Sequence, residues 1–108
     1  MKKRSASVYK TKVGCGNIKT SIEEENGKPI DCGVMLSKSG TCGASQVEAI
    51  SRLIAILFKA NVDISQIVKQ LKGIRCNSPY IIGEEENLSC ADAIGKAIER
   101  WQDDKNEK

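Results

Sequence analysis

The chain has 108 residues, the length of a single domain. Lys and Arg number 17 against 14 Asp and Glu, so the net charge is +3, short of the basic excess of a dedicated nucleic-acid binder. Histidine is absent, which excludes His-based triads and imidazole metal ligation, and the few aromatics (Tyr9, Phe58, Tyr80 and Trp101) cannot build a base-stacking ladder.

Residues 1–8 are polar and basic and read as a flexible terminus. From Lys10 to Leu36 the pattern is strand-like. Ile18, Thr20 and Ile22 alternate with Lys19, Ser21 and Glu23, as in a half-buried strand. Asn26-Gly27 favours a type I′ hairpin turn, and Ile30, Cys32, Val34 and Leu36 share one face of the strand that follows. Ser37 to Gly43 is a small-residue loop. Val47, Ile50, Leu53, Ile54 and Leu57 then recur at helical spacing, with Ser45 and Glu48 as a capping box or a start one turn earlier, and an end near Ala60-Asn61. Its apolar side, with Ile54, Ile56, Leu57 and Phe58, covers over half the circumference, which calls for deep burial or a homo-oligomer contact. Asp63 and Gln66 open a short second helix through Leu71, with Gly73 as its cap. Cys76 to Asn87 reads as a loop. Ser89 and Asp92 cap a third helix whose apolar stripe is Ala93, Ile94, Ala97, Ile98 and Trp101. Residues 9–102 thus form one domain and 103–108 a charged tail. The expected class is α+β: an antiparallel hairpin or small sheet, then three helices packed on one side.

The longest apolar stretch, Leu53 to Phe58, is far shorter than a membrane span, and no apolar run follows Lys2, Lys3 and Arg4 as a secretory signal needs. A reducing, cytoplasmic compartment is the expectation. There, cysteines serve as metal ligands or redox thiols more readily than as disulfides, and the count of 5 is odd.

Cys15 sits between Gly14 and Gly16, Cys42 precedes the long helix, Cys76 follows the second helix, and Cys90 lies in the first turn of the third. Thiols at element ends can converge in a small fold, and helix N-termini favour the thiolate that binds zinc. There is no CxxC pair. Spacing alone leaves three readings open: a four-thiolate metal site, buried inert thiols, or redox-active thiols. Cys32 differs, because its strand phase places it with Ile30, Val34 and Leu36 in the core. Ser37-Lys38-Ser39-Gly40-Thr41 lacks the full phosphate-loop signature and reads as an ordinary loop entering a helix. Glu23 to Glu25 and Glu84 to Glu86 read as solvated charge, and Lys69, Lys72 and Arg75 as a basic surface face.

Three runs carry a resemblance: SKSGTCGASQVEAISRLIAILFKANVD from Ser37, IVKQLKGIRCNSP from Ile67, and LSCADAIGKAIE from Leu88. Together they resemble the TSCPD domain, found at the C-terminal end of adenosylcobalamin-dependent (class II) ribonucleotide reductases and in small stand-alone proteins. The similarity covers Tyr9 to Trp101. In the eponymous motif Leu88 replaces Thr and Ala91 replaces Pro, while Ser89, Cys90 and Asp92 match. The resemblance implies that Cys15, Cys42, Cys76 and Cys90 chelate a metal, with zinc the expected ion, and it leaves Cys32 outside the set.

The implied role is that of an accessory or binding domain in deoxyribonucleotide synthesis, acting with a reductase catalytic subunit as partner or binding nucleic acid or nucleotide in its own right. Adenosylcobalamin would enter only through that partner. The reductase barrel, with its radical cysteine and nucleotide pocket, does not fit in this length, and Gln102 to Lys108 lacks the cysteine pair that family enzymes use to relay electrons. A complete reductase is therefore not expected. The alternative class is a thiol redox relay or an iron–sulfur or metal carrier, against which the missing CxxC counts. Direct nucleic-acid binding ranks third.

Overall fold

A computed structural model of the chain describes residues 4–14, 16–37, 42–76 and 79–106, with the side chains of Cys42 and Asn106 excepted. Strands β1 (Arg4–Val13), β2 (Gly16–Glu25) and β3 (Lys28–Leu36) form an antiparallel sheet in that order. Helices α1 (Cys42–Lys59) and α2 (Ile64–Leu71) follow, then a small hairpin of β4 (Tyr80–Ile82) and β5 (Glu85–Asn87), and finally α3 (Cys90–Asn106). Helix α1 lies over β3, α3 lies over β1 and β2, and α2 packs on α3, so the helices cover one face of the sheet. This is the expected α+β architecture.

The period-2 pattern of β2 and β3 sets the core. Ile18, Ile22, Cys32 and Leu36 are buried against Val47, Ile54 and Phe58 of α1 and Ile94, Ile98 and Trp101 of α3. Asn26 and Gly27 both have positive φ, 55° and 83°, as a type I′ turn requires. Asp63 caps α2 by accepting the Ser65 N–H at 3.0 Å. Helix α1 ends in a Schellman motif. Asn61 has φ 58°, its N–H donates to Phe58 O at 3.0 Å, and the Val62 N–H donates to Leu57 O at 3.1 Å.

Several details differ from the sequence reading. The first strand begins at Arg4 and pairs with Glu25, so residues 4–8 are ladder rather than flexible terminus. Ala6 and Val8 alternate with Ser5 and Ser7, but they lie on the exposed side of the sheet, so this part of the strand rests on its ladder to β2. Residues 103–106 continue α3 rather than forming a tail. Helix α1 takes the earlier of the two expected starts, a turn before Ser45, but its buried stripe is Val47, Ser51, Ile54, Ala55 and Phe58. Leu53 and Ile56 lie outward, each 62 % exposed. Of the three glutamates read as solvated at the end of β2, Glu24 turns inward. A bulge between Glu23 and Glu24 shifts the register, and the Glu24 carboxylate accepts Trp101 Nε1–H at 3.3 Å and pairs with Lys105 Nζ at 2.6 Å.

Candidate functional site

The start of α3 is tied to the chain that leaves α2 by two side chains. Ser89 is the N-cap: its Oγ accepts the Asp92 N–H at 3.0 Å, and its hydroxyl donates to Ile74 O at 2.6 Å. Asp92, 1 % exposed, reaches both ways. Its Oδ1 accepts the Gly73 N–H at 2.9 Å; its Oδ2 accepts the Leu88 N–H at 3.0 Å and pairs with Lys96 Nζ at 3.0 Å. Burial pushes the Asp92 carboxyl up, but the Gly73 and Leu88 amides and the Lys96 ammonium outweigh it, and the net is below the ordinary carboxylate range.

Gly73 has φ 89° but does not cap α2 in the αL manner. Lys72 is extended (φ −67°, ψ 139°) and the Ile74 N–H points to Leu71 O at 3.5 Å, which makes Leu71–Ile74 a type II turn with Gly73 at its third position. That turn leaves the Gly73 N–H for Asp92. Gly95 lets α3 approach it, since a Cβ there would stand 2.9 Å from Leu71 Cβ and 3.1 Å from Lys72 N.

This bracket positions two of the expected thiols. The Cys76 N–H donates to Leu88 O at 3.0 Å, two residues before Cys90, and both cysteines are half-buried. A second tie runs to the sheet. Asn87, 5 % exposed, donates from Nδ2 to Lys12 O at 2.8 Å, which sets the chain three residues before Cys90 against the chain three residues before Cys15. A third tie joins the β1–β2 turn to the chain leaving β3. The Asn17 N–H donates to Ser37 Oγ at 3.1 Å and the Ser37 N–H to Asn17 O at 2.9 Å. Gly16, with φ 128°, is needed there, because a Cβ would stand 2.5 Å from Ser37 Oγ. From Ser37 the chain leads to Cys42, the first residue of α1.

Cys15 and the side chain of Cys42 lie outside the described residues, as does most of the Ser37–Thr41 run. Among the described residues no group of three or more Cys, Asp or Glu side chains is set to hold a metal ion. Cys32 is 6 % exposed in the core, as its strand phase predicts. Burial, and then the Asp31 carboxylate, push its thiol up to about 12. A thiol so reluctant to ionise is a poor metal ligand or nucleophile.

A family model for the TSCPD domain matches residues 1–102. The chain belongs to the TSCPD domain family. No curated protein and no solved structure matched. In this TSCPD domain the matching motif residues divide their work. Ser89 and Asp92 brace the backbone around Ile74, Gly73 and Leu88, while Cys90 stands between them at the first position of α3. The Ser-x-x-Asp spacing announces a helix cap, but nothing in it announces that the same two side chains hold the α2–β4 connection. Asn87 carries no sequence signal either. It lies at the end of a three-residue strand in a stretch read as loop. Among the described residues, no helix is long and apolar enough to cross a membrane.

Proposed function

We propose that this TSCPD domain is a small metal-stabilised module that works with a ribonucleotide reductase, with Cys15, Cys42, Cys76 and Cys90 as the thiolate ligands of one zinc ion. The observation that carries this reading is the pair of ties around Cys90, Asn87 to Lys12 and Leu88 to Cys76. They gather the chain beside three of the four cysteines at one end of the sheet, and the Asn17–Ser37 pair brings the chain toward the fourth. The donor chemistry fits. Four cysteines at element ends make a closed tetrahedral site, and the fifth is withdrawn into the core.

Bound zinc would supply a cross-link between the β1–β2 turn, the start of α1, the α2–β4 connection and the start of α3. Such sites contribute on the order of 10 kcal/mol to folding in small zinc peptides. Within the chain, Asp92 and Ser89 brace the backbone at Gly73, Ile74 and Leu88, the Cys76 N–H is tied to Leu88 O, and Asn17 and Ser37 bind each other between the start of β2 and the chain leaving β3. With the four sulfurs committed to a closed site, the module acts through its surface, and the class II reductase is the partner that its family membership favours.

Two measurements test the two halves. Chelation of the native chain is expected to release zinc and to collapse its thermal transition; thiols that alkylate at once in the presence of excess zinc would favour a thiol relay instead. Affinity capture from the source lysate is expected to recover a reductase subunit, and its absence from the bound fraction would count against the partnership.

A further inference from the structure

The face of the sheet away from the helices is open, and its charges are sorted. On it Lys10 stands directly opposite Lys19, and Lys12 opposite Asn17. Like charges facing each other across a ladder are destabilising. Among the described residues none of these lysines has an acidic partner within ion-pair distance. Lys19 also faces Met35 on β3, which is 68 % exposed, and Asn17 is bound to Ser37. Lys10, Asn17, Lys19, Met35 and Ser37 line a concavity of about 470 Å³, within the size range of small-ligand pockets.

Further along the face the sign reverses. The next set across the three strands is Val8, Ser21 and Gly33, and the one after it holds Glu23 opposite Asp31. Glu23 is four residues from Lys19, about 13 Å along the strand. The lysine field is therefore short and ends at Asp31 and at Glu23, the latter paired with Arg4 at 3.9 Å, and among the described residues no aromatic side chain lines the concavity. A polynucleotide following the face would run into Glu23 and Asp31 and would find no stacking platform. A compact phosphate chain with one apolar body suits it better.

We propose that this open face binds a nucleoside polyphosphate. Its phosphates lie on Lys10, Lys12 and Lys19, Asn17 and Ser37 supply polar contacts at the rim, and the exposed Met35 thioether packs on the base. The binding relieves the repulsion between Lys10 and Lys19.

The test is calorimetric titration of the full chain with ATP, inorganic tripolyphosphate and single-stranded oligothymidylate at low salt. ATP is expected to bind one per chain. Lys19→Glu, which gives Lys10 a cross-strand partner and so keeps the fold, is expected to weaken ATP by about tenfold or more with no fall in melting temperature. Met35→Ala is expected to weaken ATP several-fold while leaving tripolyphosphate unchanged. Absent ATP binding, or ATP binding indifferent to Lys19→Glu, overturns the proposal. So do tripolyphosphate binding as tight as ATP in the native chain, and oligothymidylate binding tighter than ATP.

Discussion

The Asp92 carboxylate accepts the amide of Gly73, 19 residues earlier, at 2.9 Å, and through that bond the start of α3 holds the end of α2. With Leu88 and Lys96 on its other oxygen, Asp92 is a fully partnered buried charge. Asp92→Asn supplies only one acceptor oxygen and faces the other amide with an NH2. The expected loss is on the order of 3 kcal/mol in denaturant unfolding. The pH dependence has a definite sign. The folded-state value lies below the ordinary one, so the stabilisation is fully present above about pH 4 and fades as pH falls through the lower, folded-state value. The stability gap between native and Asp92→Asn chains should close in strong acid. A gap independent of pH would show that the charge is not what matters.

Gly95→Ala sets two effects against each other. Alanine improves helix propensity by about 1 kcal/mol. The new Cβ would meet Leu71 Cβ and Lys72 N, and part of that obstacle is backbone. Overpacking of this kind costs about 1–3 kcal/mol, so a net loss of stability is expected. The readout is the unfolding midpoint, and an unchanged or raised midpoint would mean that α2 and α3 are not held as closely as described.

Thr20 is buried with its Oγ1 unpartnered among the described residues, between Ile18 and Ile22 on the core face of β2. Thr20→Val removes the orphaned hydroxyl at nearly constant volume and suits a strand. A gain on the order of 1 kcal/mol is expected in thermal or denaturant unfolding.

How much of this was legible depends on whether the signal is local. The Asn26-Gly27 turn, the stripe of α3 and the inward phase of Cys32 follow from periodicity and φ preference within a few residues. The outer half of β1 is different, because its short alternation, Ala6 and Val8, is weak and faces outward, and residues 4–8 owe their conformation to pairing with β2. The β4–β5 hairpin hides in a glutamate-rich stretch for the same reason. Helix α1 offered more apolar positions than the sheet can cover, so which ones point inward was decided by β3 and not by α1 itself. At the candidate site the cysteines could be named from the chain, whereas Asn87 and the double duty of Ser89 and Asp92 depend on contacts across 15 to 75 residues. No spacing rule reaches that far.

Cys32 separates from the other cysteines by reactivity. With its thiol pushed up to about 12, it is expected to resist alkylation by iodoacetamide at pH 8 in the folded chain and to react on unfolding. The folded-state value is raised above the ordinary 9.0, so its stabilisation is complete below pH 9 and is lost as pH rises toward 12. Mass spectrometry of the labelled native chain checks the first point. Early modification of Cys32 would contradict its place in the core.

The central claim is that four thiols hold one metal ion and the fifth does not. Elemental analysis of the chain purified without chelator or nickel tests it most directly, for the native protein and for single Cys→Ser variants. The expected result is about one zinc per chain, retained in Cys32→Ser and depleted in Cys15→Ser, Cys42→Ser, Cys76→Ser and Cys90→Ser. A metal-free native chain that unfolds at the same temperature with and without chelator would contradict it.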